Sequence, residues 1–185
     1  MLIDKCKYSW SEIDTLSIVW KTFADKYAGE FKTFVTKTSL RRFEIQIPFS
    51  HNQIKFVTTE YKPLNLCYTF KKILNDNFLI YNEDYTDKIM KFFGSKEFQI
   101  EDQTFDDKFF IETNNEVLVR QMLSAKVKDF LLGHEITNFK LDEINKEHQL
   151  SLTLITNELE ISNLESALDI FKACILTIER KNNLL

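Results

Sequence analysis

The sequence predicts an α+β protein, an antiparallel sheet of about six to eight strands packed against an N-terminal, a middle and a C-terminal helix. Three observations carry this reading. Short runs in which apolar and polar residues alternate with period 2 follow one another from Phe43 to Tyr81, and another pair spans Phe139 to Ile155. The runs are joined by short polar turns, so neighbours in sequence become hairpins with antiparallel strands. Apolar residues at steps of three and four stand in three longer segments, at the start, middle and end of the chain.

The first helix opens at Ser9, which stands at capping-box spacing from Glu12, so that each side chain satisfies the other's free backbone N–H. Ile13, Leu16, Trp20, Phe23, Ala24 and Tyr27 then form one apolar face. Gly29 stands where a C′ residue in the left-handed conformation would end the helix. Phe31 to Leu40, rich in Thr and aromatics, reads as a first strand or as a frayed extension of the helix.

Phe43, Ile45, Ile47 and Phe49 alternate with Glu44, Gln46 and Pro48. Pro48 cannot donate to a ladder, so its strand is expected at an edge or ends there. After the turn Ser50-His51-Asn52, alternation resumes at Ile54, Phe56 and Thr58, and after Lys62-Pro63 at Leu64, Leu66, Tyr68 and Phe70. Phe78 to Tyr81 is a further strand; Ile89 to Phe93, Phe98 to Ile100 and Lys108 to Glu112 are weaker ones. The middle helix is expected from Asn115 to Leu132, capped by Asn114 and closed by Gly133, with Val119, Met122, Leu123, Val127, Phe130 and Leu131 buried. A hairpin follows, from Phe139 to Ile144 and from Gln149 to Ile155. The last helix opens on a second capping-box spacing, Ser162 and Glu165, and buries Leu164, Leu168, Phe171, Ile175 and Ile178.

Length and composition bound the object. A chain of 185 residues with 44% apolar side chains reads as one domain over residues 1–185, able to bury roughly 70% of its unfolded surface without disulfides or metal. Three cysteines, Cys6, Cys67 and Cys174, share no metal-binding or redox spacing and read as free thiols of a reducing compartment. The opening MLIDKCKYSW has no apolar core of a secretory signal, and no apolar stretch reaches the roughly 18 residues of a membrane span. A cytoplasmic protein is expected, with no membrane insertion, and the Lys-, Asn-, Ile- and Phe-rich usage suggests a bacterial, AT-rich source. Charge is unevenly spread: residues 1–72 balance at +5 and residues 73–185 at −9. A fold that interleaves the two halves would mix these charges; otherwise the asymmetry marks a partner surface or a head-to-tail self-contact.

The segments Phe93-Gly94-Ser95-Lys96-Glu97 and Phe105-Asp106-Asp107-Lys108-Phe109, with Val119 to Leu132 and the upstream Trp20-Lys21-Thr22-Phe23-Ala24, give the chain a resemblance. It resembles a group of uncharacterised bacterial proteins with a Gly…Asp-x-x-Phe-Asp-x-x-Phe segment followed by a helix, a hairpin and an amphipathic C-terminal helix. Many of that group carry N-terminal membrane spans, which this sequence lacks. The resemblance implies no activity and transfers no functional residue.

Candidate chemistry is sparse. Glu101, Asp102, Asp106 and Asp107, with Glu83, Asp84 and Asp87 upstream, form an acidic cluster. Clustered carboxylates suit Ca²⁺ or Mg²⁺, but the EF-hand spacing is missing, and turn capping accounts for the same residues. His51, His134 and His148 have no helical ligand spacing, so no zinc site is expected. No glycine-rich phosphate loop and no nucleophile elbow is present. Lys32, Lys37, Arg41, Arg42, Lys55, Lys62, Lys71 and Lys72 lie among Phe and Tyr, a pattern that suits nucleic acid. A net charge of −4 and only four Arg argue against that use. The 17 Phe exceed by inspection what a small core needs and suit an apolar pocket, a dimer face or simply a Phe-rich core. The sequence thus predicts a non-enzymatic interaction or ligand-binding module, a homodimer or the host of an apolar ligand, with no catalytic, metal or cofactor residues. The alternative is a divalent-metal-dependent enzyme using the acidic cluster at 101–107.

Overall fold

The computed structural model describes residues 8–61, 63–72, 74–82 and 98–183. Eight strands form one antiparallel sheet, and helices cover one of its faces. In chain order the elements are α1 (Trp10–Lys26), β1 (Glu30–Val35), β2 (Arg41–Phe49), β3 (Asn52–Thr59), β4 (Leu64–Phe70) and β5 (Phe78–Asn82). A one-turn α2 (Gln103–Asp106), β6 (Phe109–Thr113), α3 (Glu116–Met122) and α4 (Ala125–Leu132) follow. The chain ends in the hairpin β7 (Glu135–Ile144) and β8 (Glu147–Ile155) and the long α5 (Ile161–Asn183). The α+β class and the antiparallel sheet are those the sequence predicts.

The strand order is β1-β2-β3-β4-β8-β7-β5-β6. The four strands of the basic half therefore lie side by side, and so do the four of the acidic half. Within the sheet the halves do not interleave; they meet along one ladder, where Leu64 to Phe70 pair with Leu154 to His148. The charge asymmetry of the sequence becomes a lateral asymmetry of the sheet.

Alternation builds the core. On β4, Leu64, Leu66, Tyr68 and Phe70 are buried on the helix side while Asn65, Cys67 and Thr69 face the other way. On β8, Leu150, Leu152 and Leu154 do the same. α1 lays Trp20 edge-on to Phe43 at 6.4 Å and Phe23 edge-on to Phe56 at 5.4 Å. α5 buries Leu164, Leu168, Phe171, Ile175 and Ile178 completely, and Lys26 of α1 pairs with Glu165 of α5. Most of the described Phe residues fill this core; Phe34 is exposed at the β1 edge.

Several boundaries differ from the sequence reading. The capping box Ser9–Glu12 forms as expected. At the other end of α1 the left-handed residue is Ala28 (φ 52°), not Gly29. Gly29 N–H bonds the Ala24 carbonyl at 2.8 Å, and a Cβ on Gly29 would stand 2.9 Å from the backbone oxygen of Gln46. Glycine is needed there for close approach to β2. Phe31 to Leu40 resolves into β1 and a turn. β2 is an interior strand, but β1 pairs with it only as far as Gln46, so Pro48 lies past the ladder on that side. Phe98 to Ile100 is not a strand, although Phe98 N–H bonds the Ile111 carbonyl at 2.9 Å. The middle helix is broken at Leu123-Ser124 into α3 and α4, and Ser124, a residue type that favours N-caps, marks the break. Asn115, not Asn114, caps α3; Asn114 instead donates to the Asn75 carbonyl at 2.7 Å. Gly133 is right-handed (φ −78°). α5 begins one residue before the expected cap: Leu164 N–H bonds the Glu160 carbonyl, so Ser162 lies inside the helix. Ile89 to Phe93 and Gly94 lie outside the described residues.

Candidate functional site

The C-terminal end of α5 and the end of β4 leave a cavity of about 300 Å³ between them. Its inner wall is apolar: Tyr68 and Phe70 from β4, Leu74 just beyond, and Ile178 from α5. The period-2 alternation of β4 turns Tyr68 and Phe70 toward the helix, and their rings meet edge-on at 5.0 Å. Leu74 is held in place because its N–H bonds Nδ1 of His148 at 3.3 Å, and His148 is the β8 partner of Phe70. His51, Lys71 and Lys72 line the same cavity.

One carboxylate faces this cleft. Glu179 accepts from the Tyr68 hydroxyl at 3.0 Å and from the Ser50 hydroxyl at 3.0 and 2.9 Å. Tyr68 in turn accepts from the His51 N–H; burial and then the Glu179 carboxylate push its hydroxyl up from its ordinary value. The turn that supplies Ser50 and His51 is tied to β4 by Asn52, whose amide donates to the Thr69 carbonyl at 2.8 Å. Beside the cleft, Lys181 is engaged with Asp76 at 3.0 Å. Sequence reasoning named His51 as a turn residue and Lys71 and Lys72 within a basic stretch, and joined none of them with Glu179, Tyr68 or Ser50 in one site. The only local signal is a Glu beside Ile178 at the edge of the helix's buried stripe.

A larger, open depression of about 430 Å³ lies around the β5–β7 pair, where Leu79, Glu112, Asn138, Lys140 and Asp142 gather. Lys140 is paired there with Asp142 at 3.4 Å.

The acidic cluster does turn work. Asp102 caps α2 and pairs with Lys128, and that ammonium, with the Phe105 N–H, holds its carboxyl below the ordinary carboxylate value. Asp106 accepts from the N–H groups of Ile100 and Asp102, each at 3.0 Å. Asp107 ends α2, and Glu101 pairs with Arg120 at 3.4 Å. Among the described residues no group of three or more His, Cys, Asp or Glu is placed to hold a metal ion. Glu83, Asp84, Asp87, Cys6 and Lys62 lie outside the described residues. His134 stacks on Phe130 at 4.1 Å, and its Nδ1 meets the Phe130 carbonyl at 2.7 Å. Burial pushes the Cys174 thiol up to about 12 and raises the Cys67 thiol too. The basic residues separate: Lys32 pairs with Glu30, Arg41 stacks on Trp10, Arg42 pairs with Glu44, and Lys71 and Lys72 stand at the cleft.

A second buried group escaped the sequence. Glu158, in the connection between β8 and α5, is wholly shielded from solvent. Its Oε1 stands 3.4 Å from the Thr58 hydroxyl, and its charge acts on the buried Tyr8 hydroxyl.

Among the described residues, no helix is long and apolar enough to cross a membrane. No family model matches the chain, and no curated protein matches it. One solved structure is similar in fold, the mycobacterial trehalose monomycolate transport factor A, TtfA, with a TM-score of 0.50 and 10% sequence identity over 88% of this chain and 96% of that one.

Proposed function

We propose that this protein is a non-enzymatic binding module that takes a small apolar or amphiphilic ligand in the cleft between β4 and α5. The observation that carries the reading is a cavity of about 300 Å³ lined by aromatic and aliphatic side chains together with polar ones. Ligand pockets begin at roughly this size and have this mix of surfaces. The similar fold belongs to a protein named for trehalose monomycolate transport; the likeness accompanies the reading, and the cleft supports it. The neutral dye N-phenyl-1-naphthylamine, which brightens in apolar surroundings, tests it. Uptake by the folded protein, lost in both Leu74→Trp and Ile178→Trp with circular dichroism unchanged, is the expected result. No uptake by the wild type overturns the reading.

A homodimer is a second reading. β1 is an edge strand, and Trp10, Phe34 and Val35 are exposed beside it, as an edge awaiting a partner would be. Light scattering that gives the monomer mass at every concentration would remove it.

A further inference from the structure

We propose that two copies of this chain join edge to edge through antiparallel β1 strands, with the twofold axis at Thr33, so that one sheet runs across the dimer. The inference rests on the homodimer reading above and adds the strand, the register and the axis.

The ladders decide which groups of β1 are free. Along an antiparallel strand each residue points its N–H and C=O to one side, and successive residues alternate. Glu60 N–H bonds the Arg41 carbonyl at 3.2 Å, so Arg41, Phe43 and Ile45 address β3, while Arg42, Glu44 and Gln46 address β1. Their partners Phe34, Lys32 and Glu30 turn inward. The Thr36 N–H, bonded to the Leu40 carbonyl at 2.8 Å, keeps the same phase. Phe31, Thr33 and Val35 therefore present their backbone groups to the bare edge.

One register uses them all. With Thr33 opposite Thr33 of the second copy, Phe31 lies opposite Val35 on both sides of the axis, and each pair can exchange both hydrogen bonds. Phe31 and Val35 share the helix side with their β2 partners Ile45 and Arg41, and Val35, 66% exposed alone, is covered. On the other side Lys32 meets Phe34, an attractive cation–ring pair. Sliding by two residues one way sets Lys32 against Lys32; the other way it leaves Phe31 without a strand partner.

The edge also selects a copy of itself. At the far end of the sheet the Ile111 carbonyl of β6 is taken by the Phe98 N–H at 2.9 Å. β1 has neither the proline nor the bulge that blunts an edge. The basic half can meet itself because Lys32 pairs with Glu30 and Arg42 with Glu44, at 2.8 and 3.2 Å. A β1–β1 contact is isologous and closes at two chains.

Sedimentation equilibrium and cross-linking test it. The wild-type mass is expected to climb with concentration from one chain toward two and stop there. Thr33→Pro removes an N–H that points away from β2, so circular dichroism should be unchanged, while dimerisation weakens about tenfold, the worth of the two axial hydrogen bonds. Thr33→Cys sets two thiols on the axis at the roughly 5.5 Å Cα spacing of a bonded pair, within disulfide reach. Mild oxidation should link it faster than Val35→Cys, with the wild type and its own thiols as the blank. A monomer at every concentration fails the dimer reading itself. A dimer that Thr33→Pro leaves unweakened, or that Val35→Cys links as fast as Thr33→Cys, keeps that reading and overturns this edge and register, as does growth beyond two chains.

Discussion

Glu158 reaches no solvent, so the chain must supply the donors that water would give a carboxylate. The Thr58 hydroxyl does so, at 3.4 Å, from a position far away in sequence. Thr58→Val should cost about 1–3 kcal/mol, read as a lower urea midpoint, because it strips a donor from a buried acceptor. Alkaline pH acts on the same region. Burial, and then the Glu158 charge, raises the Tyr8 hydroxyl above its ordinary 10.0, and burial raises the Cys174 thiol from 9.0 to about 12. The unfolded chain releases both protons at their ordinary values, so it binds fewer protons than the native state across that range. Stability is then fully present below pH 9.0 and falls as pH rises beyond it. Urea midpoints followed from neutral pH upward should show this limb, and Tyr8→Phe should flatten its part above pH 10.0. These residues also show where the sequence stops being legible. The roles of Asp102 and Asp106 can be read because their N–H partners lie within six residues. Glu158 and Glu179 cannot, because Tyr8, Thr58, Ser50 and Tyr68 reach them only through tertiary packing.

The joint between α1 and β1 concentrates two opposite demands in adjacent residues. Ala28 adopts a left-handed conformation that costs an L-residue roughly 1 kcal/mol, so Ala28→Gly should be neutral or raise the melting temperature slightly. Gly29→Ala should lower it, at a cost of about 1–3 kcal/mol in stability, since the new methyl meets the Gln46 carbonyl and Ile47. Thermal melts of the two variants should therefore move in opposite directions, or one stay still while the other falls. The end of α4 depends on a more distant residue: Lys108 donates to the Leu132 and His134 carbonyls at 2.7 and 3.1 Å. Lys108→Met should cost about 1–2 kcal/mol and increase amide exchange in the last turn of α4. Elements with clean periodicity, such as β2, β3, β4, β8 and α1, are legible because their apolar spacing and their burial are the same fact. The break between α3 and α4 is not, because Val119 to Leu131 keep helical spacing straight through it. Ser124 alone carries the signal, and serine is common inside helices too.

At the scale of the whole molecule, the sheet is two contiguous sets of strands closed by one ladder between β4 and β8. Leu66 opposite Leu152 lies at its middle, fully buried on β4 and nearly so on β8. Leu66→Ala or Leu152→Ala should cost about 2–5 kcal/mol. Co-expressed segments 1–72 and 73–185 should each stay unfolded alone and recover the native circular dichroism together, and Leu66→Lys should prevent the recovery. The same ladder has a consequence for birth on the ribosome. β4 emerges with its hydrogen-bonding rim bare and a greasy flank beside it, and it must wait for almost the rest of the chain before β8 arrives. During that interval another nascent copy can offer the same rim. Slow translation or crowded synthesis should therefore favour insoluble product, and a holdase that shields the first half should raise the yield more than one acting after release.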